Sequence, residues 1–160
     1  MKNSLMLRGK WTFRAHGRQV VFIKKSNEKA THVLMKAFIW ALYLTDYPDL
    51  TVEVPIGNRY KPDVVQTDAG GHPVFWGESG HVNVQKVRYL VERYRKTHIA
   101  IAKWDTELFS FTRIVEKALK GICRSAPIDM LSFPADSTDQ FIGENGELRI
   151  SLDKVKHIRL

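Results

Sequence analysis

The hydrophobic pattern of residues 27–104 changes its period in a fixed order, and this order limits the folds open to the chain. EKATHVLMKAFIWALYLTDY has apolar residues at helical spacing. Three short strand-like runs follow, at 50–56, 59–67 and 72–79, and then a helical segment at 83–96 and a β-branched run at 97–104. Helix, three strands, helix and strand predict an α/β fold in which helices cover a mixed sheet.

Capping and turn residues mark where these elements begin and end. Ser26 and Asn27 are candidate caps for the first helix, and Pro48 predicts its end. Asn83 is the candidate cap of the second helix. Residues 105–121 predict a third helix, which ends at a glycine.

The flanking segments predict hairpins. Residues 1–25 have two strand-like runs around a turn near His16-Gly17, and Asn145-Gly146 within ENGEL is typical of a type I′ hairpin turn. The chain has 160 residues and no repeat or flexible linker, so we expect one domain. Its parts are an N-terminal hairpin (1–25), a core (27–104) and a C-terminal helix and hairpin (105–160).

Composition limits the compartment and the partners. The single cysteine, Cys123, excludes an internal disulfide and suits a reducing cytosol. The apolar run AFIWALYL at 37–44 is too short to span a bilayer, and the N-terminal MKNSLMLRGKW lacks the apolar run of a signal peptide. We therefore expect a cytoplasmic protein with no membrane partner.

The net charge of +8 is spread along the chain. A basic surface favours polyanions, of which nucleic acid is the first candidate for a small domain without a lipid anchor. The alternative is that the charge serves solubility alone. A protein partner also stays open.

Two acids stand within the strand patterns, Asp63 in RYKPDVV and Glu78 in FWGESG. Acids are poor strand residues and are costly in a core unless they are paired. Asp68-Ala69-Gly70-Gly71 predicts a tight turn between these strands. A turn centred on Ala69-Gly70 places Asp63 opposite Trp76 and Lys61 opposite Glu78.

In this predicted register Asp63, Trp76, Glu78 and Lys61 share one face of the sheet. The two acids become diagonal neighbours, about 7–8 Å apart at the backbone, and their carboxylates can converge on one hard cation. The alternative is an edge hairpin with solvated acids, or a cross-strand Lys61–Glu78 pair that contributes about 0.2–1 kcal/mol.

The order and spacing of these residues resemble the PD-(D/E)XK nuclease-like superfamily. More closely, the chain resembles the YaeQ family, a divergent branch of that superfamily. The likeness extends over most of the chain. It is carried by Glu28, Pro62-Asp63, the Trp76-x-Glu78-x-Gly80 run, Lys86 and the C-terminal NGELRISLD.

The resemblance implies a Mg²⁺- or Mn²⁺-dependent site that cleaves phosphodiester bonds in nucleic acid. Asp63 and Glu78 would hold the metal together with the backbone carbonyl of Ser79. Glu28 would contribute from the first helix, directly or through water. A metal at such a site orients a water for in-line attack and neutralises charge on the scissile phosphate.

One position departs from the pattern. The usual motif has a lysine two residues after the glutamate, where this chain has Gly80. Lys86 is the replacement that the resemblance implies, and Lys61 is the replacement that the predicted register places beside Glu78. Two functions therefore stay open. One is a nuclease acting on DNA or RNA, and the other is a catalytically silent protein that binds nucleic acid or a protein partner.

Overall fold

Two β-sheets form the framework of the computed structural model, which describes residues 9–160. The first is a hairpin of β1 (Gly9–Ala15) and β2 (Arg18–Lys24). The second has six strands, whose spatial order is β3 (Thr51–Val52), β4 (Val64–Thr67), β5 (Pro73–Ser79), β6 (His98–Trp104), β7 (Ile128–Phe133) and β8 (Lys156–Arg159). Strands β5 to β7 are parallel and the others pair antiparallel, so the predicted mixed α/β sheet is confirmed.

Helices cover both faces of the large sheet. They are α1 (Ala30–Tyr43), α2 (Val84–Arg93), α3 (Phe109–Leu119) and a short α4 (Ser137–Phe141). Helix α1 and the hairpin pack on one face, and α2 and α3 pack on the other. Successive crossovers between parallel neighbours have the same hand, which places α2 and α3 together.

The predicted turn between β4 and β5 is wrong in length. Asp68 Oδ1 accepts hydrogen bonds from the backbone N–H groups of Gly70 (2.9 Å) and His72 (3.0 Å), and Asp68 N donates to His72 O at 2.8 Å. Asp68 therefore faces His72 and not Gly71. A bulge between Gln66 and Thr67 adds a further shift.

The observed register consequently differs by two residues from the predicted one. Val65 lies opposite Trp76, where Asp63 was expected, and β4 begins only at Val64. Lys61 and Asp63 both precede the strand, so the predicted Lys61–Glu78 cross-strand pair does not form. The two acids also do not share a face as predicted. Asp63 bonds Ser79 and lies 3.8 Å from His32 of α1, whereas Glu78 bonds Trp76 and lies 3.0 Å from Lys86 of α2.

Helix α1 is shorter than predicted. It begins at Ala30, after Lys29, and neither Ser26 nor Asn27 caps it. Glu28 therefore precedes the helix rather than forming its first turn. The helix ends at Tyr43, before Pro48.

The predicted C-terminal hairpin is reduced to its turn. Asn145 and Gly146 have φ values of 57° and 74°, as a type I′ turn requires, and Glu147 N donates to Glu144 O at 3.1 Å. Only one bridge, between Ile142 and Leu148, continues it, because α4 precedes the turn. The chain instead returns to the sheet as β8, which sequence analysis missed.

The first eight residues of the predicted N-terminal hairpin lie outside the described residues. Among residues 9–160, no helix is both long enough and apolar enough to cross a bilayer.

Candidate functional site

Glu78 lies near the end of β5 and is 4% exposed. Its Oε1 accepts a hydrogen bond from Trp76 Nε1 at 2.8 Å, and its Oε2 lies 3.0 Å from Lys86 Nζ. Burial raises the pKa of Glu78, and the negative charge of Asp63 raises it further, while Lys86 and Trp76 act in the opposite direction. The net effect is a raised pKa, because Lys86 and Trp76 do not offset the combined effect of burial and Asp63.

The N-terminus of α2 positions Lys86. Asn83 caps the helix, with its Oδ1 accepting from Lys86 N at 2.8 Å, so this predicted cap is confirmed. Lys86 in the first turn then extends its side chain back to Glu78 and over the ring of Tyr60, 5.1 Å from the centroid. Lys61 is exposed and forms no ion pair within residues 9–160. Of the two candidate lysines, the structure therefore brings only Lys86 to the acid.

Asp63 lies at the neighbouring strand end and is held by Ser79. Its Oδ2 accepts hydrogen bonds from both Ser79 N and Ser79 Oγ, each at 2.9 Å. Consecutive strand residues point to opposite faces, so the side chains of Ser79 and Glu78 lie on different faces of the sheet. The Asp63 carboxylate thus lies at the end of the strand pair, bonded to Ser79 and close enough to Glu78 to influence its pKa.

Glu28 joins the site through His32. Its Oε2 lies 2.8 Å from His32 Nδ1, and His32 Nε2 lies 3.8 Å from Asp63 Oδ2. The same Oε2 accepts from Lys36 Nζ at 2.8 Å, and buried Lys36 also pairs with Glu53. Burial raises the pKa of Glu28, but the hydrogen bonds from Lys36 and His32 outweigh it and the pKa is lowered.

His32, Lys36 and Glu53 were missed by sequence analysis. His32 and Lys36 lie four and eight residues after Glu28, and helical spacing alone places such residues on one side of a helix. Glu53 carried no such signal, because β3 is only two residues long and Glu53 follows it at a positive φ of 58°.

Gly80 occupies a position that disfavours a lysine. Its φ is 86°, a backbone conformation that is strained for residues with a Cβ. Gly80 N donates to Ala102 O at 3.0 Å, and Gly80 O accepts from Lys103 Nζ at 2.7 Å. The cation beside Gly80 therefore comes from the neighbouring strand β6 and not from Gly80's own strand.

Oxygen donors dominate the site, which is the chemistry that Mg²⁺ prefers. Within the described chain, no three His, Cys, Asp or Glu side chains converge closely enough to hold an ion by themselves. Asp63 and Glu78 supply two carboxylates, so a metal here also needs backbone, water or phosphate oxygens. The raised pKa of Glu78 fits an added cation, because positive charge would stabilise its ionised form.

An open cleft of about 740 Å³ adjoins this site between α1 and α3. Glu28, His32 and Gly80 form the wall nearest the acids, and Lys103 lies beside them. The opposite wall is largely apolar and includes Phe111 and Ile114 of α3.

A second polar cluster lies at the other end of the parallel strands and is centred on Asp129, which is fully buried. Its carboxylate oxygens lie within hydrogen-bonding distance of Tyr43 (2.7 Å), His98 (2.6 Å), His157 (2.8 Å) and Arg159 (2.7 and 2.9 Å). Burial raises the pKa of Asp129, but these partners outweigh it and hold the pKa far below its ordinary value.

No protein-family model matches the chain, and no curated protein matches it in sequence. Its structure is similar to that of YaeQ protein from Pseudomonas syringae, with a TM-score of 0.62 and 10% identity over 90% of this chain and 81% of that one. It is also similar to YaeQ protein from Xanthomonas axonopodis pv. citri, with a TM-score of 0.58 and 16% identity over 90% of this chain and 82% of that one. The chain therefore has the fold of the YaeQ proteins.

Proposed function

We propose that this chain is a divergent PD-(D/E)XK-type member of the YaeQ family and a Mg²⁺-dependent phosphodiesterase acting on nucleic acid. The observation that carries the proposal is that Asp63, Glu78 and Lys86 lie at the same end of strands β4 and β5. Asp63 directly precedes β4, Glu78 lies near the end of β5, and Lys86 Nζ lies 3.0 Å from Glu78 Oε2. The shared fold with YaeQ proteins supports the same proposal.

Asp63, Glu78 and the carbonyl of Ser79 would hold the metal. When bound, Mg²⁺ supplies charge neutralisation at the phosphate and orientation of the attacking water. The chain's own groups prepare the acids: Ser79 fixes the direction of Asp63 with two hydrogen bonds, and Trp76 fixes that of Glu78. Lys86 favours the ionised form of Glu78, and in catalysis its ammonium would face the phosphate's developing charge.

A second candidate function is binding without cleavage. Gly80 in the motif's lysine position supports it, and so does the engagement of Lys36 with both Glu28 and Glu53. A protein of this kind keeps the basic surface and the cleft and uses them to hold nucleic acid or a protein partner.

Thermal unfolding in the presence of Mg²⁺ tests the metal site. A ligand that binds only the folded state stabilises it by about 2.7 kcal/mol at one hundred times its Kd, which corresponds to a rise of several degrees in Tm for a domain of this size. We expect millimolar Mg²⁺ to raise the Tm and Asp63→Asn to abolish the rise. Asp46→Asn, at an exposed position remote from the strand ends, is the matched control and should keep the full shift.

Cleavage assays separate the two candidate functions. We expect Mg²⁺-dependent cleavage of an oligonucleotide that Glu78→Gln reduces by at least a hundredfold, since a charged metal ligand is lost. Equal cleavage by wild type and Glu78→Gln would contradict the proposed site. A Mg²⁺-dependent Tm shift without any cleavage would favour the binding protein.

A further inference from the structure

The ammonium group of Lys103 has no role in the proposed chemistry of Asp63 and Glu78. Lys103 lies in β6, and its Nζ donates to Gly80 O at 2.7 Å and lies 4.5 Å from the centroid of Phe111. Lys36 and Lys86 each have a carboxylate partner, whereas within residues 9–160 no carboxylate pairs with Lys103. Burial accordingly lowers the pKa of Lys103, with no opposing charge to restore it.

A half-buried ammonium without a counter-ion, at the wall of a cleft, is a position prepared for an anion. The nearest acids in the cleft are already engaged. Glu28 is bound by Lys36 and His32, and Glu107, at the rim, is exposed and lies 3.6 Å from Lys156. An anion that pairs with Lys103 would therefore come from a ligand.

The rest of the cleft fits a flat apolar group next to that anion. Met35, Trp104 and Ile114 line it, and Ile114 remains 36% exposed although it is aliphatic. The hydroxyl-bearing residues Thr31, Thr106 and Ser110 are interspersed along the lining. This mixture of apolar surface and a few polar groups is characteristic of small-ligand sites.

We propose that this cleft binds an unpaired nucleotide of the nucleic-acid substrate, with a phosphate on Lys103 and the base against the apolar wall of α3 that includes Ile114. The inference rests on the proposed function, because it names the class of substrate that the acids would act on. The chain thus recognises single-stranded or splayed nucleic acid in preference to an intact duplex.

The size of the cleft fits a single nucleotide. A volume of about 740 Å³ is that of a pocket for a small organic ligand. A single nucleotide can enter such a cleft once it is out of the base stack, and apolar or aromatic side chains accept any base face. The cleft also shares Glu28, His32 and Gly80 with the proposed site, so a nucleotide bound there has its backbone close to the acids.

Anisotropy of short fluorescein-labelled oligonucleotides in EDTA tests the proposal without metal or cleavage. We expect the wild type to bind a single strand more tightly than the blunt duplex of the same sequence. Lys103→Met should weaken single-strand binding by about tenfold, as the loss of one charge-assisted hydrogen bond predicts, and leave duplex binding nearly unchanged. Lys117→Met, on the exposed side of α3, removes the same charge and should have little effect.

Ile114→Glu provides a variant that keeps the fold, because Ile114 is already partly exposed. A carboxylate there should repel the phosphate and reduce the preference for single strands. Equal affinity for single strand and duplex in the wild type would overturn the inference. So would equal effects of Lys103→Met and Lys117→Met, or an unchanged preference in Ile114→Glu.

The anisotropy test in EDTA does not depend on metal binding at Asp63 and Glu78, so the two proposals can fail separately. Loss of the Asp63-dependent Mg²⁺ shift, with single-strand binding through Lys103 intact, would remove the proposed catalysis and leave the cleft assignment in place. A normal Mg²⁺ shift with no preference for single strands would remove the cleft assignment alone.

Discussion

The two most buried carboxylates of this chain differ in how many donors surround them. Asp129 is within hydrogen-bonding distance of four side chains, and its pKa is strongly lowered. Glu78 has only Trp76 and Lys86, and its pKa is raised. The donors around Asp129 therefore outweigh its burial, whereas the two donors of Glu78 do not outweigh burial and the charge of Asp63. This contrast, and not burial itself, distinguishes the candidate site from the structural cluster.

Asp129→Asn should strongly destabilise the protein. Removing the charge from a buried network costs about 3–5 kcal/mol, because Arg159 loses its partner and an amide cannot accept at every position. For a domain of this size the Tm should fall by about 10 °C or more. Asp139→Asn, an exposed acid on α4, is the control and should leave the Tm within about 1–2 °C of wild type.

The pH dependence of this effect has a definite sign. The pKa of Asp129 is lower in the folded than in the unfolded protein, so its stabilising contribution is fully present above the ordinary pKa of 3.8 and is lost as the pH falls through and below that value. The difference in free energy of unfolding between wild type and Asp129→Asn should thus shrink as the pH falls below about 4. A difference that grows below pH ~4 would contradict the network described for Asp129.

Among the elements, those with strong local signals were predictable from the sequence and those set by long-range pairing were not. The helical stripe of α1, the cap of α2 and the type I′ turn at Asn145-Gly146 all depend on neighbours within a few residues, and all three occur. The β4–β5 register could not be predicted from local signals. The side chain of Asp68 accepts hydrogen bonds from Gly70 N and His72 N and so stabilises a longer loop than the predicted turn. Strand β8 gave no local signal and forms only because β7 offers it a free edge.

The same distinction applies to the candidate site. Lys86 was predictable because its position follows from the cap of α2 a few residues earlier. Lys103 was not, because its approach to Gly80 requires β6 to lie parallel to β5, with Ala102 beside Ser79. The incorrect register predicted that the two acids share one face. In the structure they lie at the same end of the strand pair, but Asp63 contacts Ser79 and His32 while Glu78 contacts Trp76 and Lys86.

Asn83→Ala tests whether this cap matters to the site. Loss of the cap should lower the free energy of unfolding by about 1 kcal/mol, measured by urea denaturation. Asn83→Asp should restore nearly all of it, since aspartate caps helices as well as asparagine does. Equal losses for both substitutions would show that the side-chain oxygen of Asn83 does not hold the first turn of α2.

At the scale of the whole molecule, the fold separates structure from candidate chemistry along the sheet. The Asp129 cluster ties α1, β6, β7 and β8 together at the N-terminal ends of the parallel strands. Glu78, Gly80 and Lys103 lie at the carboxyl ends of β5 and β6. Ligand sites of open α/β sheets form at carboxyl ends, and the cleft between α1 and α3 opens there.

The net charge of +8 gives the whole molecule an attraction for polyanions, but only charges that reach phosphates change the salt dependence of binding. Exposed basic residues in and after α2 lie on the side of the sheet that carries Lys86; they include Arg88, Arg95 and Lys96. We expect the triple variant Arg88→Gln, Arg95→Gln and Lys96→Gln to reduce the slope of log K against log salt by about 0.7 per lost contact with a single strand.

A control that removes the same charge elsewhere separates phosphate contact from the general attraction of a basic protein. Lys10, Lys25 and Lys154 are exposed and belong to or follow other elements, so changing all three to Gln lowers the net charge equally. Contacts along α2 predict a flatter salt slope for the first triple variant only, measured by anisotropy over a range of KCl concentrations. Equal slopes for both variants would mean that the charge acts as a diffuse field, in which case the path of the nucleic acid over α2 is wrong while the cleft at Lys103 is untouched.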